Sequence, residues 1–206
     1  PDDTRQLYAY VRKTGAITIP HQIGEAGNAW LDNDPLIEPV VEIFQGCRTS
    51  YEYEGAPRSD SRLKPKFAYT PEGFLWRAWQ KGYRLGVIAS SDHQSTHISY
   101  ANVYAPEASR EAILEAIRRR HTFGSTDDIV LDFHAPAHMQ GDEFSADPAP
   151  PFSIRVHATA PIKELAIIKN YQFVFTTQSR TASLALEWRD AAPARGTSLY
   201  YVRVVQ

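Results

Sequence analysis

The chain has 206 residues and almost balanced charge, 22 Lys and Arg against 24 Asp and Glu for a formal net of −2. That length suits one large domain or two small ones, and near-neutrality argues against non-specific binding to nucleic acid. Cys47 is the single cysteine, which excludes an intrachain disulfide, and no apolar run reaches the length that spans a membrane.

In chain order, Thr4–Thr14 places Leu7, Tyr8 and Val11 at helical spacing. Ala16–Pro20 then reads as a short apolar strand that Pro20 stops, which leaves His21 at its C-terminal end. Gly24 and Gly27 open a loop behind it. Val40–Phe44 is a second strand, with Glu42 inside an apolar run. A carboxylate there is costly unless it is paired or metal-bound, so Glu42 is a candidate catalytic or ligand group, or the partner of Arg48 or Arg84. Gly46–Pro71 is a long aromatic and charged loop of the kind that builds sites over a scaffold. Thr70-Pro71-Glu72 starts a helix that runs to Lys81 and stops at Gly82. Arg84–Ala89 is the next strand, and Ser109 caps a helix over Arg110–Arg120 whose last turn carries a basic run suited to the helix dipole. Helices alternating with short apolar strands predict a parallel sheet or barrel over residues 1–126.

From Asp127 to Gln206 the texture is strand only. Ile129–His134, Phe152–Thr159, Glu164–Lys169, Gln172–Thr177, Leu184–Arg189 and Leu199–Val205 are the candidates, with Asn170-Tyr171 as a tight hairpin turn. Asp147–Pro151 is a stiff linker. Short strands at this spacing predict a small β-sandwich. His134, His138 and His157 have no compact ligand spacing and read as surface histidines.

The most telling stretch is Gly86–Tyr100. An apolar run ends at Ser90-Ser91, and Asp92, His93 and His97 follow at once. A carboxylate and imidazoles at the C-terminal end of a buried strand are how barrel-type hydrolases hold metal ions. The competing reading is a polar loop with a capping Asp, and for His21 a hydrogen-bonded loop histidine.

Four segments carry a resemblance, in order: AITIPHQIGEAGNAW (Ala16–Trp30), VEIFQGCRTSYEYEGAPR (Val41–Arg58), YRLGVIASSDHQSTHISYANVYA (Tyr83–Ala105) and REAILEAIRRRHTFGST (Arg110–Thr126). Together they resemble PHP-type proteins, the polymerase and histidinol phosphatase superfamily of metal-dependent phosphoesterases. More narrowly, the chain is similar to a bacterial family of unknown function that joins a PHP-like barrel to a C-terminal β-sandwich. HMQGDEF (His138–Phe144) and YYVRV (Tyr200–Val204) also fit that family.

The resemblance implies an α/β plus all-β fold, a partial PHP-like (β/α) barrel followed by a small β-sandwich. It implies metal ligands at His21, Asp92 and His93. The family motif has one residue between its Asp and His; here Asp92 and His93 are adjacent and Gln94 takes the place expected of the His, so His97 is the alternative to His93. No His precedes His21, so the chain reads as the C-terminal portion of such a protein, lacking a full ligand set by itself. Imidazole and carboxylate ligands suit Zn, Mn or Fe, which would activate water against a small phosphorylated or other anionic ester. His97 and Glu42 are the expected catalytic groups, with Arg48 binding the anion by its planar fork, or else paired with Glu52 or Glu54. Neither nucleic acid nor membrane is an expected partner. A second class stays open: a non-catalytic binding or structural module using the β-sandwich, with Tyr51, Tyr53 and Tyr69 as exposed aromatic surface.

Overall fold

The computed structural model describes residues 3–25, 30–46, 49–59 and 69–206. The chain divides into two compact units, Pro1–Thr126 and Asp127–Gln206.

The first unit opens with α1, Thr4–Thr14, capped by the Asp3 carboxylate on the Arg5 amide and ended by Gly15 at φ 67°. Its apolar face, Tyr8 and Val11, packs with Ile37. The next segment runs extended alongside β1, Val40–Phe44. The Thr18 amide donates to Ile37 and the Glu42 amide to Pro20. Residues 16–20 are nevertheless not a regular strand. Pro20 and Pro39 lack the donors a ladder would use, so pairing stays intermittent while the direction stays parallel. β2, Gly86–Ala89, pairs in parallel with β1 from Val40↔Gly86 onward.

The expected helix Pro71–Lys81 is broken in two. A 3-10 turn covers Pro71–Gly73, Phe74 is extended at ψ 147°, and α2 is only Leu75–Gln80. Tertiary packing overrides local propensity here. The Phe74 ring is buried against Gly24, and the amides of Leu75 and Trp76 are satisfied by the carbonyls of Tyr51 and Glu52. The core gathers Ile23, Trp30, Val41, Ile43, Tyr51, Phe74, Leu75, Ala78 and Leu85.

β3, Tyr100–Val103, and β4, Thr122–Ser125, form an antiparallel pair joined by α3, Arg110–Arg118. α3 starts where Ser109 accepts from the Ala112 amide. Here the expectation of a partial PHP-like (β/α) barrel is overturned. Among the described strands only β1 and β2 pair in parallel, and α3 links two antiparallel neighbours. A barrel needs each helix to cross between parallel strands. The chain is predominantly β, in several small sheets.

β4 lies so close to β2 that a Cβ at Gly124 would stand 2.8 Å from the Ile88 carbonyl carbon and 2.9 Å from the Ala89 nitrogen. Both obstacles are backbone. Gly124→Ala is expected to cost about 2–3 kcal/mol of stability, since overpacking against backbone has no side chain to displace. Urea unfolding checks it, and an unchanged midpoint would refute it.

The second unit is two antiparallel sheets. One has the order β10-β7-β5-β6, made of Ser183–Arg189, Pro151–His157, Val130–Ala135 and His138–Met139. The other is β11-β8-β9, made of Tyr200–Val205, Glu164–Lys169 and Gln172–Thr177. β7 alternates, burying Phe152, Ile154 and Val156, while Leu165–Ile168 of β8 are buried without interruption. The Phe152 ring meets Phe133, Trp188 and Tyr200, which joins the two sheets face to face. Asn170 and Tyr171 both take positive φ, 47° and 70°, as the two-residue hairpin between β8 and β9 requires. Among the described residues no helix is long and apolar enough to cross a membrane.

Candidate functional site

Three extended segments run the same way in the first unit, and the residues that end them form one edge. The 16–20 segment ends at His21, β1 at Gln45 and Gly46, and β2 at Ser90, Ser91 and Asp92. The register continues past the strands, since the Ser90 amide donates to the Phe44 carbonyl. Gly46 is what lets the second and third ends close up. A Cβ there would lie 2.7 Å from the Ser91 carbonyl oxygen and 3.0 Å from the Asp92 Cβ.

Glu42 is the centre of this edge. It is only 4% exposed, inside β1. The Ser90 hydroxyl donates to its Oε1, while Oε2 is buried with no hydrogen-bond partner. Burial pushes the carboxyl above the ordinary glutamate range. The Ser90 hydrogen bond and the nearby His21 oppose that rise, and the Asp92 carboxylate adds to it. The Gln22 amide faces the carboxyl and also favours its ionised form, without reaching hydrogen-bond geometry to Oε2. Glu42, His21 and Asp92 therefore share one electrostatic neighbourhood.

Asp92 stands at φ 56°, the left-handed region that Asp tolerates better than most residues. Its Oδ1 accepts from the His93 amide at 2.7 Å and its Oδ2 from Gln45 Nε2 at 3.2 Å. Behind Gln45 runs a buried polar chain. The Tyr51 hydroxyl lies 3.4 Å from Gln45 Oε1 and 2.7 Å from Glu25 Oε1. Gln45, Tyr51 and Glu25 are all buried. The Ser91 hydroxyl ties down the loop beyond, accepting from the amides of Ile98 and Ser99 and donating to the Ser99 carbonyl.

The other expected site residues lie differently. His93 is exposed, with Nε2 3.6 Å from Asp92 Oδ1. His97 is exposed on the same loop, its amide on Ser95 Oγ. Arg48 and Cys47 lie outside the described residues. Tyr51, expected on the surface, is 1% exposed and belongs to the core, whereas Tyr53 and Tyr69 are half-buried. Among the described residues no three His, Cys, Asp or Glu side chains stand close enough to hold a metal ion. The donors of the described residues do not complete a metal centre. What it has is a carboxylate with one buried oxygen unused, beside an imidazole and a second carboxylate.

Sequence reasoning leaves out Gln45 and Glu25 and gives Ser90 and Tyr51 no role in this site. The signal for two of them was positional, as Gln45 and Ser90 are each the first residue beyond a buried strand. Nothing local marks Glu25 or Tyr51.

No known protein family model matches the chain, and no solved structure does either. It is similar to an uncharacterized protein of Chlamydia pneumoniae, 26% identical over 203 residues, covering 84% of this chain and 33% of the relative. Uncharacterized proteins of Chlamydia trachomatis and Chlamydia muridarum are each 27% identical, covering 84% and 82% of this chain and 33% and 32% of their own length. The chain thus spans about a third of the length of the relatives it matches.

Proposed function

We propose that this chain supplies one wall of the active site of a longer, divalent-metal-dependent hydrolase acting on phosphoesters or similar anionic esters. The observation that carries the reading is the buried Glu42 carboxyl inside β1 with Oε2 unpartnered, next to His21 and Asp92. An ionised carboxylate in that setting is unfavourable unless a cation or a further donor faces it. The relatives' extra length is a source of the missing ligands. A Zn, Mn or Fe ion held there would make hydroxide available near neutral pH and polarise the ester. Within the chain, Glu42 in β1 would face the ion with its unused Oε2, His21 after residues 16–20 and Asp92 after β2 add their charge to the same neighbourhood, and Gln45 fixes the Asp92 carboxylate by holding Oδ2. His93 and His97, both exposed, are assigned no step.

Glu42→Gln tests this with two opposed readouts. Because burial holds the Glu42 carboxyl above its unfolded value, its ionised form disfavours folding. The metal-free variant is expected to be more stable by about 1 kcal/mol at mildly alkaline pH. The gain is full above the raised native pKa and shrinks as pH falls through it toward the ordinary glutamate value. Titration calorimetry with Mn or Zn should meanwhile show weak binding to the parent chain and none to the variant. Equal metal binding by both would sink the reading.

A further inference from the structure

The polar chain that ends on Asp92 begins deep in the first unit. The Tyr51 hydroxyl lies 2.7 Å from Glu25 Oε1 and 3.4 Å from Gln45 Oε1, and Gln45 Nε2 carries the contact on to Asp92 Oδ2 at 3.2 Å. A phenol has one hydrogen to donate, so the two acceptors share it, with Glu25 the nearer. Glu25, Gln45 and Tyr51 are 6%, 5% and 1% exposed. The phenol is held in place from several sides. The Tyr51 amide donates to the Ile43 carbonyl of β1, and its carbonyl accepts from the Leu75 amide of α2. Its ring packs against Gly24, where a Cβ would stand 2.9 Å from Tyr51 Cδ1. Glycine at 24 thus lets the loop that carries Glu25 close on the phenol, as glycine at 46 lets the β1 end close on Ser91 and Asp92.

We propose that Tyr51 is a positioning residue for Asp92: Glu25 anchors its hydroxyl, and the hydroxyl holds Gln45, whose Nε2 sets the direction of the carboxylate. Stability does not account for the arrangement. Three apolar side chains would fill the same interior without desolvating a carboxyl group and an amide, and buried polar groups cost free energy where packing alone would serve. What the chain supplies is a fixed direction for a carboxylate that stands at the surface, free on its other side to turn about its side-chain bonds. Carboxylates held from behind bind cations more tightly, because less rotamer freedom is lost on binding. The inference rests on the reading of Glu42, His21 and Asp92 as one site that faces an ion.

The test combines Tyr51→Phe, which removes only the hydroxyl and keeps the ring in the core, with Glu25→Gln, which leaves no carboxyl stranded without its donor. In the metal-free full chain with isotope-labelled glutamine, the Gln45 side-chain amide is expected as a resolved pair of resonances, identified by their loss in Gln45→Met. Asp92→Ala should move them toward the position of free glutamine. The Tyr51→Phe, Glu25→Gln variant should move them the same way while its urea unfolding stays cooperative. Calorimetric titration with Mn should show this variant binding about tenfold more weakly than the parent. In a Gln45→Met background the same two changes should weaken binding no further, since a group that acts through Gln45 has no effect once Gln45 is gone. Unmoved Gln45 resonances in the Tyr51→Phe, Glu25→Gln variant overturn the inference, as do losses of affinity that add to those of Gln45→Met. A parent chain that binds no Mn ends the metal reading instead, and the amide resonances then decide the role of Tyr51 by themselves.

Discussion

Asp92→Ala is expected to lower hydrolysis of an aryl phosphate by the longer protein at least a hundredfold, about what losing one directly engaged charged group costs. The Asp92 carboxylate shares an electrostatic neighbourhood with Glu42 and His21. Its position is set from behind, by Gln45 Nε2 on Oδ2 and by the absence of a Cβ at Gly46. Removal takes away a ligand and a counter-charge together. The fold should survive, with a loss of about 1 kcal/mol, because Ala is less comfortable than Asp at positive φ and the residue is exposed. His134→Ala is the control. Its imidazole pairs with Asp132 at 2.8 Å in the second unit, and turnover should not change. Bound metal by elemental analysis and aryl phosphate turnover are the two readouts. Undiminished turnover in Asp92→Ala ends the hydrolase reading.

The second large effect concerns stability. Lys169 at the end of β8 donates to Asp190 Oδ2 at 2.5 Å and to the Ala192 carbonyl at 2.7 Å. The Tyr200 hydroxyl of β11 donates to the same Asp190 oxygen at 2.6 Å. Asp190 directly follows β10, so the cluster fastens the two sheets to each other. The charged side chains are 10% and 6% exposed. Removing one partner strands the other beneath the surface. Asp190→Ala or Lys169→Ala is expected to cost about 3 kcal/mol, the low end for buried pairs because this one lies shallow. The double replacement Lys169→Met with Asp190→Leu should cost less than either single change, since no charge is then left behind.

The pH dependence follows from the same contacts. Burial works to raise the Asp190 carboxyl, but Lys169, Tyr200 and the Ala192 amide outweigh it, and the net direction is down. The Asp190 hydrogen bond raises the Lys169 ammonium. The carboxylate's contribution is therefore present above the ordinary Asp value and is lost as pH falls through its depressed native value. The ammonium's contribution is present below the ordinary Lys value and is lost as pH rises through its raised native value. Urea unfolding followed at Trp188 should show the parent losing stability at both extremes more steeply than the double variant. Single variants as stable as the parent would refute the role of the pair.

Local patterns were legible where one element settles its own structure. The helical spacing of Leu7, Tyr8 and Val11 marks α1, Ser109 opens α3, and Asn170-Tyr171 turns the β8–β9 hairpin. Patterns that depend on a neighbour were not. The strand expected at residues 16–20 has the apolar run but lacks the donors, because prolines fall at 20 and 39 on both sides of the ladder. The helix expected over Pro71–Lys81 breaks at Phe74, whose ring the core takes in. β3 and β4 went unread, being short and set around a helix, and their antiparallel pairing is what removes the barrel.

The candidate site divides in the same way. His21, Glu42 and Asp92 were visible because each sits in or just after an apolar run, and a charged group in that position has to be accounted for. That Glu42 is buried with one oxygen unused, that Ser90 holds the other, and that a buried chain from Glu25 through Tyr51 and Gln45 ends on Asp92 are decided by folding alone. Glu25 and Asp92 are far apart along the chain, and no periodicity brings them together. Sequence by itself determined which residues carry charge at strand ends and where α3 is capped. The tertiary structure decided which of those charges share a neighbourhood, because desolvation and hydrogen-bond partners are properties of packing between segments distant in the chain.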